Sequence, residues 1–86
     1  MSHRNTDIGG DLNIVKERIR YYREKNNFSY QQLSDLLMLH GIDIHKQEIY
    51  KIEKGIQTVV DYELCGFMKV FKVSFLDLTS DFYNKI

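Results

Sequence analysis

The chain has 86 residues, 43% of them hydrophobic, with 12 Lys and Arg against 12 Asp and Glu and no proline. This length suits one small domain, and the apolar share predicts a packed globule rather than a disordered chain. The single cysteine excludes an internal disulfide, no apolar run approaches the roughly 18 residues of a membrane span, and no signal-peptide pattern occurs, so we expect a soluble cytoplasmic protein.

The first predicted element is a helix that begins at Leu12. Residues 1–11 contain two adjacent glycines and no periodic pattern, which predicts a flexible tail. From Leu12, apolar residues recur at steps of three and four, and Asp11 can cap the helix start. We expect the helix to stop at Asn26 and Asn27, because asparagine tolerates the left-handed conformation at a helix end.

Ser29 is predicted to begin a second helix. The stretch "SYQQ" is a capping box, in which the Ser29 and Gln32 side chains each bond to the other residue's backbone amide. Gly41 is expected to end this helix, with Ile42 folding back against it. The predicted buried face consists of Leu33, Leu36 and Leu37.

A third helix is predicted over residues 45–54, ended by Gly55, and its side chains are distributed in an unusual way. Ile49 and Ile52 give it only a narrow apolar side, so the rest of its surface is polar. A major groove of B-form DNA, about 12 Å wide, accepts one helix of this kind, in which glutamine can pair with adenine and lysine with guanine. Glu48 has two interpretations: an acceptor from cytosine, or a favourable charge at the positive end of the helix.

Two further helices complete the predicted fold. Asp61 is expected to cap a fourth helix, and "SFLD" is a capping box that starts a short fifth helix at Ser74, ending at Leu78. Residues 79–86 leave two alternatives, a sixth helical turn or a tail packed through its aromatic residues. Five short helices and no convincing strand pattern predict an all-α domain. The core is expected to include Cys65, Phe67, Phe71 and Phe75.

From Val15 to Leu78 the chain resembles the repressor/Cro-type (XRE) helix-turn-helix family. The resemblance is based on "IVKERIRYYREKNNFSYQQLSDLL", "IHKQEIYKIEKG" and "DYELCGFMKVFKVSFLDL". It implies a five-helix repressor-like helix-turn-helix domain over residues 12–79, and we expect the extension over residues 80–86 to take part in dimerisation. Three features depart from the family pattern. The connection between helices two and three is longer by "MLHGI", Glu48 lies in the first turn of helix three, and Lys72 replaces the glycine that usually ends helix four.

The resemblance also implies roles for individual side chains. An ion pair between Arg23 and Glu53 is implied to tie helix one to helix three. His45 is interpreted as a weak helix cap or a phosphate contact, and Tyr30 takes the position of a glutamine that touches a phosphate. The base-reading side chains are expected to be Lys46, Gln47, Tyr50 and Lys51. The phosphate contacts are expected to be Ser29, Tyr30, His45, Lys54 and Thr58. The dimer surface is expected to include Leu76, Phe82 and Tyr83.

The expected function is therefore a sequence-specific DNA-binding transcriptional regulator, a repressor that binds an inverted-repeat operator in double-stranded DNA as a homodimer. The alternative is a protein–protein interaction module on the same scaffold, an antagonist of a related regulator, which the zero net charge and Glu48 favour. We expect no enzyme, because no nucleophile–base pair, glycine-rich phosphate loop or paired carboxylates occur. No cofactor, small-molecule effector or metal site is expected, since no ligand cluster accompanies His40 and His45.

Overall fold

The structure, a computed structural model, describes residues 14–85 and the side chains of residues 14–80. This part of the chain forms five helices and no strand: α1 Lys16–Lys25, α2 Tyr30–Leu39, α3 Lys46–Glu53, α4 Asp61–Phe71 and α5 Phe75–Lys85. α1 packs against α3, α4 and α5, and α2 packs against α3 and α4. The predicted all-α, five-helix fold is confirmed, with α2 and α3 in a helix-turn-helix-like arrangement. No described helix is long and apolar enough to cross a membrane.

One apolar core joins the five helices. Ile49 and Ile52, the predicted apolar side of α3, are both fully buried, so this prediction is confirmed. Leu36, which was expected on the buried face of α2, is only half-buried. Within the described residues the core consists of Val15, Ile19, Leu33, Leu37, Ile42, Ile44, Ile49, Ile52, Phe67, Phe71 and Leu78.

The first four helices end in the same way. After each, one residue adopts a left-handed backbone conformation, and the next amide bonds back to a carbonyl of the last turn, as Ile42 does to Leu37 at 3.0 Å. The predicted helix terminators are confirmed, including Lys72, although a lysine adopts a positive φ less readily than a glycine does. These residues are Asn27 (φ 58°), Gly41 (φ 78°), Gly55 (φ 77°) and Lys72 (φ 59°).

Both predicted capping boxes are present. The Gln32 amide donates to the Ser29 hydroxyl at 3.0 Å, and the Ser29 amide donates to the Gln32 side-chain oxygen at 2.8 Å. At the start of α5, Ser74 and Asp77 exchange the equivalent bonds at 3.1 and 2.9 Å. Each box satisfies amides that have no partner inside the helix, and so fixes where α2 and α5 begin.

The start of α4 differs from the prediction. Asp61, the expected cap, is the first helical residue, and Val60 takes the cap position. The valine side chain cannot accept a hydrogen bond. The carboxylate of Glu63 instead accepts from the Val60 amide at 3.1 Å, so this helix start has one half of a capping box.

The two ends of the domain also differ from the prediction. α1 begins at Lys16, because residues 14–15 form a turn rather than helix. The predicted cap Asp11, the predicted first residue Leu12 and the tail over residues 1–11 lie outside the described residues. At the other end, α5 does not stop at Leu78 but continues to Lys85, so the expected extension over residues 80–86 begins within this helix.

Two residues that were assigned to the core lie at the surface. Cys65 on α4 is exposed, and Phe75 at the start of α5 is 48% exposed. α5 instead packs through Leu78 and Thr79, which are both buried. The buried Thr79 hydroxyl finds a hydrogen-bond partner within the helix, because it donates to the Phe75 carbonyl at 2.9 Å.

The connection between α2 and α3, residues 40–45, is held against the domain. Ile42 and Ile44 are buried, and the Ser34 hydroxyl on α2 donates to the Ile44 carbonyl at 2.7 Å. Ile42 lies against Gly66 of α4, where an added Cβ would come within 2.6 Å of its Cγ1. The extra residues therefore lengthen α2 through Leu39 and then form an anchored loop that sets the position of α3.

Candidate nucleic-acid interface

The outer side of α3 is uncovered by the described part of the chain. Ile49 and Ile52 face the core with no exposed surface, and they hold the helix by one side only. All four residues predicted to read bases are exposed: Lys46, Gln47, Tyr50 and Lys51. The helix therefore presents two cations, one amide and one phenol to its surroundings, which is the side-chain chemistry that pairs with base edges and phosphates.

The start of α3 is fixed by His45. Its Nδ1 accepts a hydrogen bond from the Gln47 amide at 3.3 Å, which confirms the interpretation of His45 as a weak cap. A phosphate contact by His45 stays a prediction. Glu48 is half-buried in the first turn, and its carboxylate accepts from the Gln57 side-chain amide at 3.4 Å. This contact turns Glu48 towards the loop that follows α3.

The end of α3 is tied to α1 by the predicted ion pair of Arg23 and Glu53. Arg23 Nε donates to Glu53 Oε2 at 2.6 Å and Arg23 Nη2 donates to Oε1 at 3.1 Å. The Glu53 side chain is 2% exposed and the Arg23 side chain 13%. The hydrogen bonds to Glu53 raise the pKa of Arg23 above its ordinary value. This bidentate geometry fixes two helices against each other with two parallel bonds.

Tyr30 lies beside this pair, and its hydroxyl, which was predicted to contact a phosphate, has a partner within the domain. Its hydroxyl donates to Glu53 Oε1 at 3.2 Å, and the Arg23 guanidinium lies 4.3 Å from its ring centroid. A phenol has one proton to donate, so this hydroxyl cannot donate to a phosphate while the bond exists. Burial, followed by the nearby Glu53 carboxylate, raises the pKa of Tyr30 and keeps the proton in place.

Three other predicted phosphate contacts are accessible. Ser29, Lys54 and Thr58 are all exposed, and Ser29 combines its exposure with the capping role in α2. Lys54 is the cap residue that follows α3, and its Nζ lies 5.5 Å from the ring centroid of Tyr50. This places a cation beside a base-reading candidate on the outer side of α3.

The segment after Thr58 is less favourable to a phosphate. α4 begins with Asp61 and Glu63, and their carboxylates accept from the amides of Tyr62 and Val60. Amides at a helix start otherwise attract anions. At the start of α4 the two carboxylates already take the place of such an anion, so α4 attracts a phosphate less strongly.

The predicted dimer surface is only partly within the described side chains. Leu76 is 60% exposed and Phe75 beside it is 48% exposed, so α5 presents two neighbouring apolar side chains to solvent. Phe82 and Tyr83 lie beyond the side chains that the structure describes. Sequence reasoning missed Phe75 as a surface residue, because its aromatic character suggested burial.

Fold and exposed helix together define an all-α protein with a helix-turn-helix-like pair whose second helix faces outward. No family model, no curated protein and no solved structure matches the chain. The resemblance to the repressor/Cro-type family therefore stays a prediction based on the motifs of the sequence. In the described part of the chain, no group of three or more His, Cys, Asp or Glu side chains is placed to hold a metal ion.

Proposed function

We propose that the protein is a sequence-specific DNA-binding transcriptional regulator of the repressor/Cro type that reads the major groove with α3. The observation that carries the proposal is the division of α3 into two sides. Ile49 and Ile52 are fully buried, while the side chains with base-pairing chemistry are exposed. A helix held in this way can enter a groove without uncovering the core.

The exposed side chains divide into two groups by their position on α3. Lys46 and Gln47 in the first turn, with Tyr50 and Lys51 one turn later, are proposed to contact base edges. Four residues are proposed to contact phosphates: Ser29 before α2, His45 before α3, and Lys54 and Thr58 after α3. Tyr30 is removed from the second group, since its hydroxyl is bound to Glu53.

The proposed assembly is a homodimer that binds an inverted repeat, with two copies of α3 in successive major grooves about 34 Å apart. The exposed pair Phe75 and Leu76 supports a contact through α5. We propose that the dimer represses transcription by occupying its operator in the cytoplasm. No catalytic step, cofactor or small-molecule effector is part of this proposal.

Selection of bound duplexes from a random DNA pool tests this function directly. We expect enrichment of an inverted repeat whose half-sites lie about one helical turn apart. The symmetry of the enriched site reports the dimer, and its sequence reports base reading. Recovery of unenriched DNA, at a protein concentration low enough that the duplexes compete for it, would contradict base reading by α3.

Two substitutions separate base contacts from phosphate contacts. Gln47→Ala should relax preference at one or two base pairs and cost roughly 1–3 kcal/mol on the selected site, because the amide pairs with a base edge. Lys54→Ala should weaken binding to all sequences about equally. Lys69→Ala, which removes an exposed lysine from α4, is the charge-matched control. Equal losses on all DNA for both α3 variants would count against the assignment.

The alternative function is a protein–protein interaction module, and two observations favour it. The net charge is zero, and the start of α4 carries two carboxylates where a backbone contact is proposed. A salt titration of binding to random duplex DNA distinguishes the two functions. For a DNA-binding protein, the logarithm of the binding constant falls with the logarithm of the salt concentration, with a slope of about −0.9 per phosphate contact. An interaction module binds this DNA weakly at every salt concentration.

A further inference from the structure

α2 and α3 are held together at two separate places. Near the connecting loop, the Ser34 hydroxyl on α2 bonds to the Ile44 carbonyl at 2.7 Å. At the other end, the first residue of α2, Tyr30, reaches the last residue of α3, Glu53. The loop between the helices spans residues 40–45. The anchored loop fixes where α3 begins, and the second contact, at the far end of α3, bears on the direction of that helix.

Tyr30, the first residue of α2, contacts residues of α1 and α3. Its hydroxyl donates to Glu53 Oε1 at 3.2 Å, and its ring lies 4.3 Å from the Arg23 guanidinium of α1. The same ring meets the ring of Tyr50 in a T-shaped contact, with centroids 6.0 Å apart and planes at 85°. Tyr50 is 46% exposed on the outer side of α3. One side chain therefore connects the buried ion pair to a residue of the proposed reading surface.

We propose that Tyr30 is a positioning residue for α3: its bond to Glu53 fixes the angle between α2 and α3, and its ring sets the orientation of Tyr50. The consequence for DNA rests on the proposed function, but the positioning itself does not. The fixed ring of Tyr50 loses less freedom on binding than a free surface side chain would.

The chemistry of Glu53 explains why a tyrosine suits this position. The carboxylate is almost fully buried, and a buried carboxylate is costly unless its oxygens accept enough hydrogen bonds. Arg23 supplies two bonds, and Tyr30 supplies a third to Oε1. The raised pKa of Tyr30 agrees with a hydroxyl that stays protonated. The contribution of the Tyr30 hydroxyl to stability is therefore complete below its ordinary pKa of 10.0, and it is lost as the pH rises through the higher folded-state pKa.

Two variants and one control test the positioning. Tyr30→Phe keeps the ring and removes the hydroxyl, whereas Tyr30→Leu removes both. Tyr62→Phe is the matched control, since Tyr62 is a 58% exposed tyrosine in the first turn of another helix. Urea unfolding should show a fall of about tenfold in the folding equilibrium constant for Tyr30→Phe and no change for the control.

The decisive readout is the NMR signals of the Tyr50 ring, assigned by their loss in Tyr50→Phe. The ring current of Tyr30 shifts these signals across the T-shaped contact. Tyr30→Leu removes that ring current, and Tyr30→Phe frees the ring from its bond to Glu53 so that it shifts against Tyr50. Both variants should therefore move the Tyr50 signals, whereas Tyr62→Phe should not. Lower stability with unmoved Tyr50 signals would mean a merely structural residue and would overturn the proposal. If Tyr30→Leu does not fold, Tyr30→Phe carries the test alone.

The DNA measurement distinguishes this inference from the proposed function. On the selected site, Tyr30→Phe should lower the preference over random DNA roughly five- to tenfold while leaving binding to random DNA unchanged within about twofold. Unchanged preference would overturn the positioning role in recognition. If the unsubstituted protein shows no preference for any duplex, the proposed function fails, and the Tyr50 signals still decide whether Tyr30 positions α3.

Discussion

The ion pair of Arg23 and Glu53 offers the sharpest test of how α3 is held. Arg23→Met leaves the Glu53 carboxylate buried with its bidentate partner removed, and we expect a loss of about 3–4 kcal/mol in the free energy of unfolding. Glu53→Met should cost less, about 2–3 kcal/mol, because the Arg23 side chain is 13% exposed and keeps its bond to the Phe28 carbonyl. For a chain of this length the whole free energy of unfolding is about 4–13 kcal/mol, so these are large effects.

The double variant carries the argument. With both charges removed, no unpaired ion remains in the interior, so the double variant should lose no more than the worse single variant, about 3–4 kcal/mol. The coupling energy between the two positions is then about 2–3 kcal/mol. Arg20 and Glu24 provide a control pair of the same residue types at 3.2 Å, with side chains 56% and 55% exposed. Their coupling should be about 0.3–0.5 kcal/mol.

Urea unfolding at neutral pH measures all the variants, and a denaturant slope equal to that of the unsubstituted protein shows that a shifted midpoint reports stability. Losses for Arg23→Met and Glu53→Met that add within about 0.5 kcal/mol in the double variant would show that the two side chains are not coupled, because independent sites add and coupled sites do not. A coupling energy no larger than that of the exposed control pair would have the same meaning.

Three further predictions concern stability. Lys72→Gly should raise the free energy of unfolding by about 0.5–1 kcal/mol in urea, because glycine adopts a φ of 59° without strain. Gly66→Ala should lower it by about 1–3 kcal/mol, since the new Cβ would meet Ile42 at 2.6 Å; an unchanged midpoint would contradict this contact. Hydrogen bonds from the Ser74 amide and hydroxyl lower the pKa of Asp77. The contribution of this carboxylate to stability is therefore present above pH 3.8 and is lost as the pH falls through the lower folded-state pKa. Thermal melts of Asp77→Asn and the unsubstituted protein should therefore converge below that pH.

The capping boxes and the residues that end the first four helices can be predicted from the sequence, because they depend on local chemistry, whereas the cap of α4 and the end of α5 differ from the prediction. The capping box of Ser29 with Gln32 and the glycine at position 41 work through atoms within a few residues, so the sequence contains the whole interaction. The burial of Ile49 and Ile52 can be predicted equally well, since the spacing of apolar residues identifies one side of a helix.

Residues whose surroundings come from distant parts of the chain were not predictable in the same way. Phe75 and Leu78 are both apolar members of α5, and only the packing of α5 on α1 decides that Leu78 is buried and Phe75 is not. Cys65 is exposed for a similar reason, because α4 packs through other residues. Tyr30 was assigned by its position in a motif, which does not reveal that a buried carboxylate 23 residues later needs a third donor.

The alternation of buried and exposed residues in the connection between α2 and α3 makes it a place for a spectroscopic reporter. Asp43 is exposed between Ile42 and Ile44, which are both anchored in the core. A spin label attached at Asp43→Cys, in a chain whose exposed Cys65 is replaced by serine, would move with the backbone and leave the core intact. Distances from this label to a second label on α3 would then measure any reorientation of that helix as it meets a ligand.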